Sequence, residues 1–308
     1  LSFVLSLSLS FSLSLFRSLS LALYHCLPPS LLSLSLICTL TTHFMNVCFG
    51  TQDSCLSRSH SPLGSSKNLA SDFSFSGVCS DDATVNPLMA GWNHVVLWYC
   101  DGASFSGDKT EPLVYKNETL FFRGKRVLDA MLDVLMEDHG LSAAQEVLLS
   151  GGSAGGLSTY LHADYVGTKL PQSVKRYKAA PNSGFFALHN DADGTPLYPS
   201  EMEYVYNMQN SSGGVNAACR VAMATTNEQW KCIFANYSYA HSTTPMFPLQ
   251  SSLDAWQMGN IWKGDHACVA SGIVWMLLSL CCCHVHLHHH QQQQHCHVVM
   301  ITMNHQGH

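Results

Sequence analysis

The run Gly151-Gly152-Ser153-Ala154-Gly155-Gly156 constrains this chain more than any other stretch of it. It follows Glu146-Val-Leu-Leu-Ser150, a short apolar run that predicts a buried strand. It precedes residues 157–166, where Leu157, Tyr160, Leu161 and Tyr165 fall at helical spacing. Residues 151–155 fit the pattern G-x-S-x-G, in which a serine stands on a strained strand-to-helix turn and small flanking residues avoid collision with neighbouring backbone. Such a turn exposes the serine hydroxyl. It also aims the next backbone N–H, that of Ala154, at any oxyanion formed there, and the start of the helix adds a favourable field. A glycine-rich turn around an ordinary serine is the bland alternative. The strand before and the helix after favour Ser153 as a nucleophile.

The surrounding pattern predicts an α/β chain with a mostly parallel sheet flanked by helices. His94-Val-Val-Leu-Trp-Tyr-Cys100 reads as a buried parallel strand ending in the turn signal Asp101-Gly102. Residues 122–139 carry Val127, Leu128, Met131, Leu132, Leu135 and Met136 on one helix face, with Gly140 as the stop. Thr244-Pro-Met-Phe-Pro-Leu-Gln250 reads as a later strand, with Asp254 just beyond it. Strands alternating with helices argue for parallel pairing. A nucleophilic serine needs a base and an orienting acid. Asp254 is the candidate acid, although an Asp at a strand end is more often a turn or helix cap. For the base, His266 is close behind Asp254, His162 sits on the helix after the elbow, and His94 opens a strand, so the catalytic His stays unassigned.

Charge divides the chain. All but one of its charged residues lie between Thr51 and His266, the exception being Arg17. The expected organisation is a Leu/Ser-rich segment over 1–45, signal-like or foreign to the fold, a folded unit over 46–266, and a Cys/His/Gln-rich tail over 267–308. The net charge of −6 excludes a basic nucleic-acid footprint. The apolar run 269–280 is too short to span a bilayer. The tail's cysteines and histidines lack the fixed ligand spacing of a zinc site, so no metal and no cofactor are expected. Of the 13 cysteines, Cys48 with Cys55 and Cys219 with Cys232 are local pairs able to bridge. Three sequons, at Asn117, Asn210 and Asn236, fit an oxidising, secreted setting.

Several separated blocks carry a resemblance. They are Pro62-Leu-Gly-Ser-Ser-Lys67, Phe73-Ser-Phe-Ser-Gly77, Asn93 with Tyr99-Cys-Asp-Gly-Ala-Ser-Phe105, Phe122-Arg-Gly124, Ser153-Ala-Gly-Gly-Leu157, Gly184-Phe-Phe186, Trp230-Lys-Cys232 and Leu253-Asp-Ala-Trp-Gln257. Over residues 48–263 the chain resembles the plant-type pectin acetylesterases, a group related to the Notum carboxylesterases. The resemblance implies an α/β-hydrolase fold and a secreted enzyme that removes acetyl groups from cell-wall pectin. It implies Ser153 as nucleophile, Asp254 as triad acid and Ala154 N–H as one oxyanion donor.

The chain departs from that family in three ways. Phe44-Met-Asn-Val47 stands where the family has a glycine-rich stretch completing the oxyanion hole, and the strands before it are absent. The family's triad His falls in a segment this chain does not contain. Gly152 and Ala163 replace cysteines, leaving Cys79 and Cys100 without obvious partners. Losing a triad member costs on the order of 10⁴ to 10⁶ in turnover, and losing one oxyanion donor about 10² to 10³. This reading therefore expects a truncated chain with negligible esterase activity. The alternative is a non-catalytic relative that binds polysaccharide or a partner. A lipid-removing esterase of the Notum kind is a third reading.

Overall fold

The computed structural model describes residues 2–5, 34–40, 48–68, 75 and 77–264. Five parallel strands form its central sheet: β1 (Ser2–Leu5), β2 (Leu34–Leu40), β3 (Asn93–Leu97), β6 (Glu146–Gly152) and β7 (Arg176–Asn182), in the order β1-β3-β2-β6-β7. Between β3 and β6 in sequence lies a small antiparallel hairpin, β4 (Leu113–Tyr115) and β5 (Glu118–Leu120). Val95, Val96 and Leu97 are all buried, as expected for a strand covered on both faces.

The helices follow the predicted faces. α1 (Gln52–Ser59) is capped by the Thr51 side chain, which accepts from Ser54 N–H. α2 (Gly124–Glu137) buries Leu128, Met131, Leu132 and Leu135 against Val95, Leu97, Val147 and Leu149 of the sheet. Gly140, just beyond it, has φ +73°, the left-handed conformation that ends helices cheaply for glycine. α3 (Ala154–Lys169) is the central helix, and every residue from Ala154 to Ala163 is buried. One side of it meets the sheet through Ala163 and Val166. The other, through Leu157, Tyr160 and Leu161, meets a second core built on α4 (Leu197–Met208), α5 (Ala217–Ala222) and α6 (Ala235–Ala240).

The predicted strand over 244–250 is an irregular edge, bridged to β7 at Ala179–Met246 and Asn182–Leu249. Its two prolines explain both the irregularity and the pairing. Phe247 and Leu249 donate their N–H groups to Ala179 and Pro181 carbonyls, and Pro245 contributes only a carbonyl, to Ala179 N–H. Pro248 falls where its missing N–H would face away from the sheet, which an edge tolerates.

Three expectations are corrected here. The Leu/Ser-rich segment was expected outside the fold, yet it supplies β1 and β2, and β2 sits in the middle of the sheet between β3 and β6. Its Leu/Ser alternation has the strand period, and a parallel sheet offers that period two partners. Cys48 and Cys55, expected to bridge, are free thiols in contact. Cys55 hydrogen-bonds the Cys48 thiol and, with burial, pushes it well above its ordinary range. Cys79, expected to lack a partner, is disulfide-bonded. Cys219 and Cys232 form a disulfide with Cα atoms 5.9 Å apart, stapling α5 to the turn before α6. The apolar run 269–280 and the Cys/His/Gln tail lie outside the described residues. Among the described residues, no helix is long and apolar enough to cross a membrane, and no group of three or more His, Cys, Asp or Glu is placed to hold a metal ion.

Candidate active site

Ser153 joins the end of β6 to the start of α3 with φ +54° and ψ −122°. A non-glycine residue held there carries strain on the order of 1–3 kcal/mol and persists only where its surroundings over-determine it. Two hydrogen bonds do so: Ser153 N–H donates to the Asn182 carbonyl at 2.9 Å, and the Ser153 carbonyl accepts from Leu157 N–H at 3.0 Å. The serine is half-exposed, whereas Ala154, Gly155 and Gly156 behind it are buried. A hydroxyl presented at the first turn of a sixteen-residue helix, with the Ala154 N–H unspent by the helix ladder, is the arrangement acyl transfer needs.

A close backbone contact lies just behind the serine, at Gly156. Among the described residues, a Cβ on Gly152 would meet nothing within 4 Å. A Cβ on Gly156 would stand 2.5 Å from the Asn182 carbonyl oxygen, and one on Gly184 only 2.2 Å from the Gly156 carbonyl carbon. The elbow helix and the loop after β7 thus touch backbone to backbone, and only glycine fits at that contact.

A second loop locks the elbow from the other side. Asp101 is fully buried after β3. Its Oδ1 accepts from the N–H groups of Ala103 (3.1 Å) and Phe105 (3.3 Å), and its Oδ2 from that of Gly107 (3.0 Å). Burial pushes its carboxyl above the ordinary range, opposed by those N–H groups and by the Arg58 guanidinium. The loop it organises carries Ser104 and Phe105 at φ +55° and +64°. Ser104 Oγ donates to the Ala154 carbonyl at 2.8 Å, so the residue after Ser153 is fixed through its carbonyl. His162 Nε2 lies 3.1 Å from the Ser104 carbonyl. A carbonyl only accepts, so Nε2 carries the proton. Burial lowers this imidazole to about 4 and keeps it neutral. His162 is therefore a packing residue of the loop. His94 is fully buried within β3, and burial lowers its pKa as well.

Asp254 is the N-cap of α7 (Ala255–Gln257), its Oδ1 accepting from Gln257 N–H at 2.9 Å. Its Oδ2 accepts from Gln250 Nε2 at 2.9 Å. Both glutamines reach on to the loop after β7. Gln250 Oε1 accepts from Phe185 N–H at 3.0 Å, and Gln257 Oε1 accepts from Ala187 N–H at 3.1 Å. That loop contains Gly184, the residue pressed on Gly156. Asp254 is thus a helix cap, as the bland reading held, and is also tied by two glutamines to the loop that packs on the elbow. Beside it, Trp256 stacks on Phe49 with centroids 6.5 Å apart and packs edge-on against Phe186 and Tyr198. His266 lies outside the described residues, so the base stays unassigned.

Sequence reasoning did not single out Gln250, Gln257, Asp101 or Ser104 for these roles. Three of them stood inside quoted blocks, Asp101 and Ser104 in 99–105 and Gln257 in 253–257. Gln250 was marked only by its place at a strand end.

The sequence profile of the pectinacetylesterase family matches residues 45–303. The chain belongs to the pectinacetylesterase family. Pectin acetylesterase 4 of Arabidopsis thaliana is 36% identical over 211 residues, covering 68% of this chain and 50% of that protein. Pectin acetylesterase 11 of the same plant is 35% identical over 207 residues, covering 67% and 51%. The chain thus spans about half the length of the plant relatives it matches. The palmitoleoyl-protein carboxylesterase NOTUM of Schmidtea mediterranea is 28% identical over 209 residues, covering 65% of this chain and 39% of that protein. Among solved structures, the Wnt deacylase Notum from Drosophila superposes with a TM-score of 0.60 at 24% identity, covering 71% of this chain and 63% of that one. That likeness establishes the fold as α/β-hydrolase-like. Membership of a carboxylesterase family agrees with an elbow serine at the end of a parallel strand.

Proposed function

We propose that this chain carries the fold and the nucleophile of a secreted carboxylic ester hydrolase that acts on acetyl esters of cell-wall pectin through a serine acyl-enzyme. The left-handed elbow at Ser153 carries this reading. In the first step the Ser153 hydroxyl loses its proton to a histidine base and attacks the acetyl carbonyl. The Ala154 N–H, aided by the α3 terminus, stabilises the tetrahedral oxyanion. The sugar hydroxyl leaves with the proton, and water then releases acetate from the serine ester. Asp254 orients the base. No cofactor enters these steps. The pectin acetylesterase names of the plant relatives support the substrate. The sequons and the disulfides at Cys79 and Cys219–Cys232 support an oxidising compartment.

The test is acetate release from acetylated pectin by the full chain and by Ser153→Ala, with and without added imidazole. The reading names no base, and in sequence Phe44-Met-Asn-Val47 replaces the glycine-rich stretch expected to complete the oxyanion hole. Turnover without imidazole is therefore expected near background. Imidazole supplied as a base should raise it only in the chain that retains Ser153. Robust Ser153-dependent turnover without imidazole would instead show that the chain supplies its own base. Equal rates in the parent chain and Ser153→Ala would sink the serine mechanism. Pectin binding with no Ser153-dependent acetate release under either condition favours the second reading, a non-catalytic polysaccharide binder. Comparing acetyl with octanoyl esters separates the pectin reading from lipid removal.

A further inference from the structure

Three Asn-x-Ser/Thr triplets lie outside the site, and the fold treats them very differently. Asn117 and Lys116 are the two central residues of the β4–β5 hairpin, whose register pairs Tyr115 with Glu118. Both have positive φ, +49° at Lys116 and +63° at Asn117, the pair of values a two-residue type I′ turn requires. Asparagine is among the few residues that adopt this conformation readily. Lys116, Asn117, Glu118 and Thr119 are all exposed, so the amide and the hydroxyl two residues on both face water. The hairpin is held from below through Lys116 Nζ to Asp53 at 2.6 Å and His60 to Glu118 at 2.8 Å, contacts that do not use the asparagine.

The other two triplets are engaged. Asn236 sits in the first turn of α6, its side-chain oxygen buried. Ser238 of the same triplet is fully buried and donates to the Cys232 carbonyl at 2.6 Å, against the Cys219–Cys232 disulfide. Asn236 is half-buried where Asn117 is exposed, and the hydroxyl of its triplet is spent in the core. Asn210 is exposed and also at positive φ, +54°, but the nitrogen that would carry a sugar donates to the Asp108 carbonyl at 3.2 Å, and the hydroxyl residue of its triplet, Ser212, is half-buried where Thr119 is exposed.

We infer that Asn117 is the N-glycan acceptor of this chain, and that Asn210 and Asn236 stay bare in the folded protein. The donor class is a lipid-linked oligosaccharide diphosphate. The Asn117 amide nitrogen forms a bond to the anomeric carbon, the bond from that carbon to the diphosphate oxygen breaks, the lipid diphosphate leaves, and the nitrogen gives up one proton. The inference rests on the extracellular reading above, since this transfer takes place in the secretory lumen.

The experiment supplies a secretory signal to the full chain in eukaryotic cells, so that compartment and site are tested separately. Mass and glycopeptides are read in the secreted and microsomal fractions before and after enzymatic deglycosylation. One glycan is expected in the parent chain, in Asn210→Gln and in Asn236→Gln, and none in Asn117→Gln. Thr119→Val removes the same triplet while leaving the turn asparagine and a β-branched strand residue in place, and it should match Asn117→Gln. A bare Asn117 in the parent chain, a glycan that survives Thr119→Val, or a glycopeptide at Asn236 in secreted protein would each overturn the assignment. Locating the native chain in its tissue then tests the extracellular reading independently. An intracellular native chain with Asn117 glycosylated in the supplied-signal experiment defeats that reading alone.

Discussion

At the scale of single residues, this fold spends buried carboxylates on backbone. Asp101 and Asp164 each gather the N–H groups of a loop, but with opposite effects on their acidity. Asp101 is so deeply buried that desolvation wins over three N–H donors and the Arg58 charge, and its carboxyl is pushed up. Asp164, on α3, is less buried. Burial raises its pKa, but the hydroxyls of Thr244 and Ser242 and the N–H groups of Thr243 and Thr244 outweigh it, bringing the carboxyl down to about 2. Those bonds fasten α3 to the start of the edge segment that leads to Asp254. Its folded pKa lies below the ordinary value of about 3.9. Its contribution is therefore complete above about pH 4 and is lost as pH falls toward about 2. Asp164→Asn should cost about 1–2 kcal/mol at pH 7, discounted for partial exposure. It should also flatten the acid side of the stability profile. Urea unfolding of both chains between pH 5 and pH 2 checks this. Parallel acid slopes would show that another group governs the loss. None of this was legible in the sequence, where Asp164 follows Ala163 in a helix with nothing to mark four acceptor contacts across eighty residues.

At the scale of elements, what could be read was periodic and what was missed depended on contact. The α2 face, the buried β3, the elbow strand and Gly140 follow from local pattern because burial repeats along an element. The edge segment over 244–250 was legible as extended chain, yet its two prolines reduce it to bridges. The β4–β5 hairpin was not foreseen. Its strands are three residues each, too short for a period, and its turn residues are Lys-Asn rather than Asn-Gly. The pattern G-x-S-x-G drew attention to the residues flanking Ser153 but does not mark the close approach of Gly156 to Gly184, because pairing of distant loops leaves no local trace. This makes a sharp comparison. Gly184→Ala drives a Cβ into the first turn of α3 and should destabilise by about 1–3 kcal/mol, as overpacking does. It should also reduce the Ser153-dependent acetate release seen when imidazole is supplied. Gly152→Ala, nearer the serine in sequence but facing open space, should stay within about 0.5 kcal/mol. Thermal unfolding of the two variants decides between contact and sequence proximity. Equal losses would mean that the elbow itself, not the α3–β7 loop contact, sets the steric demand.

At the scale of the whole molecule, the charge boundary near residue 50 and the fold boundary do not coincide. A segment with a single charge looks separable, but charge density reports on solvent exposure, and a strand buried inside a parallel sheet has no use for charge. β2 pairs with β3 on one side and along its full length with β6 on the other, from Leu34–Glu146 to Leu40–Gly152. Removing it does not trim an edge. It opens a gap in the middle of the sheet, strips the strand that carries Ser153 of one neighbour, and leaves two rows of backbone donors and acceptors facing each other across a space no side chain fills. A chain beginning at residue 46 should therefore lose most of the net stability available to a domain of this kind, on the order of 5–15 kcal/mol. It should show no cooperative unfolding transition. It should elute as aggregate, because the exposed edges of β3 and β6 pair with other copies. Circular dichroism melting and size-exclusion chromatography of the shortened and full chains test this directly. A monomeric shortened chain that melts cooperatively at the parent temperature would return β1 and β2 to the role the composition suggested, a segment outside the fold. The remaining strands would then have to close on one another without them.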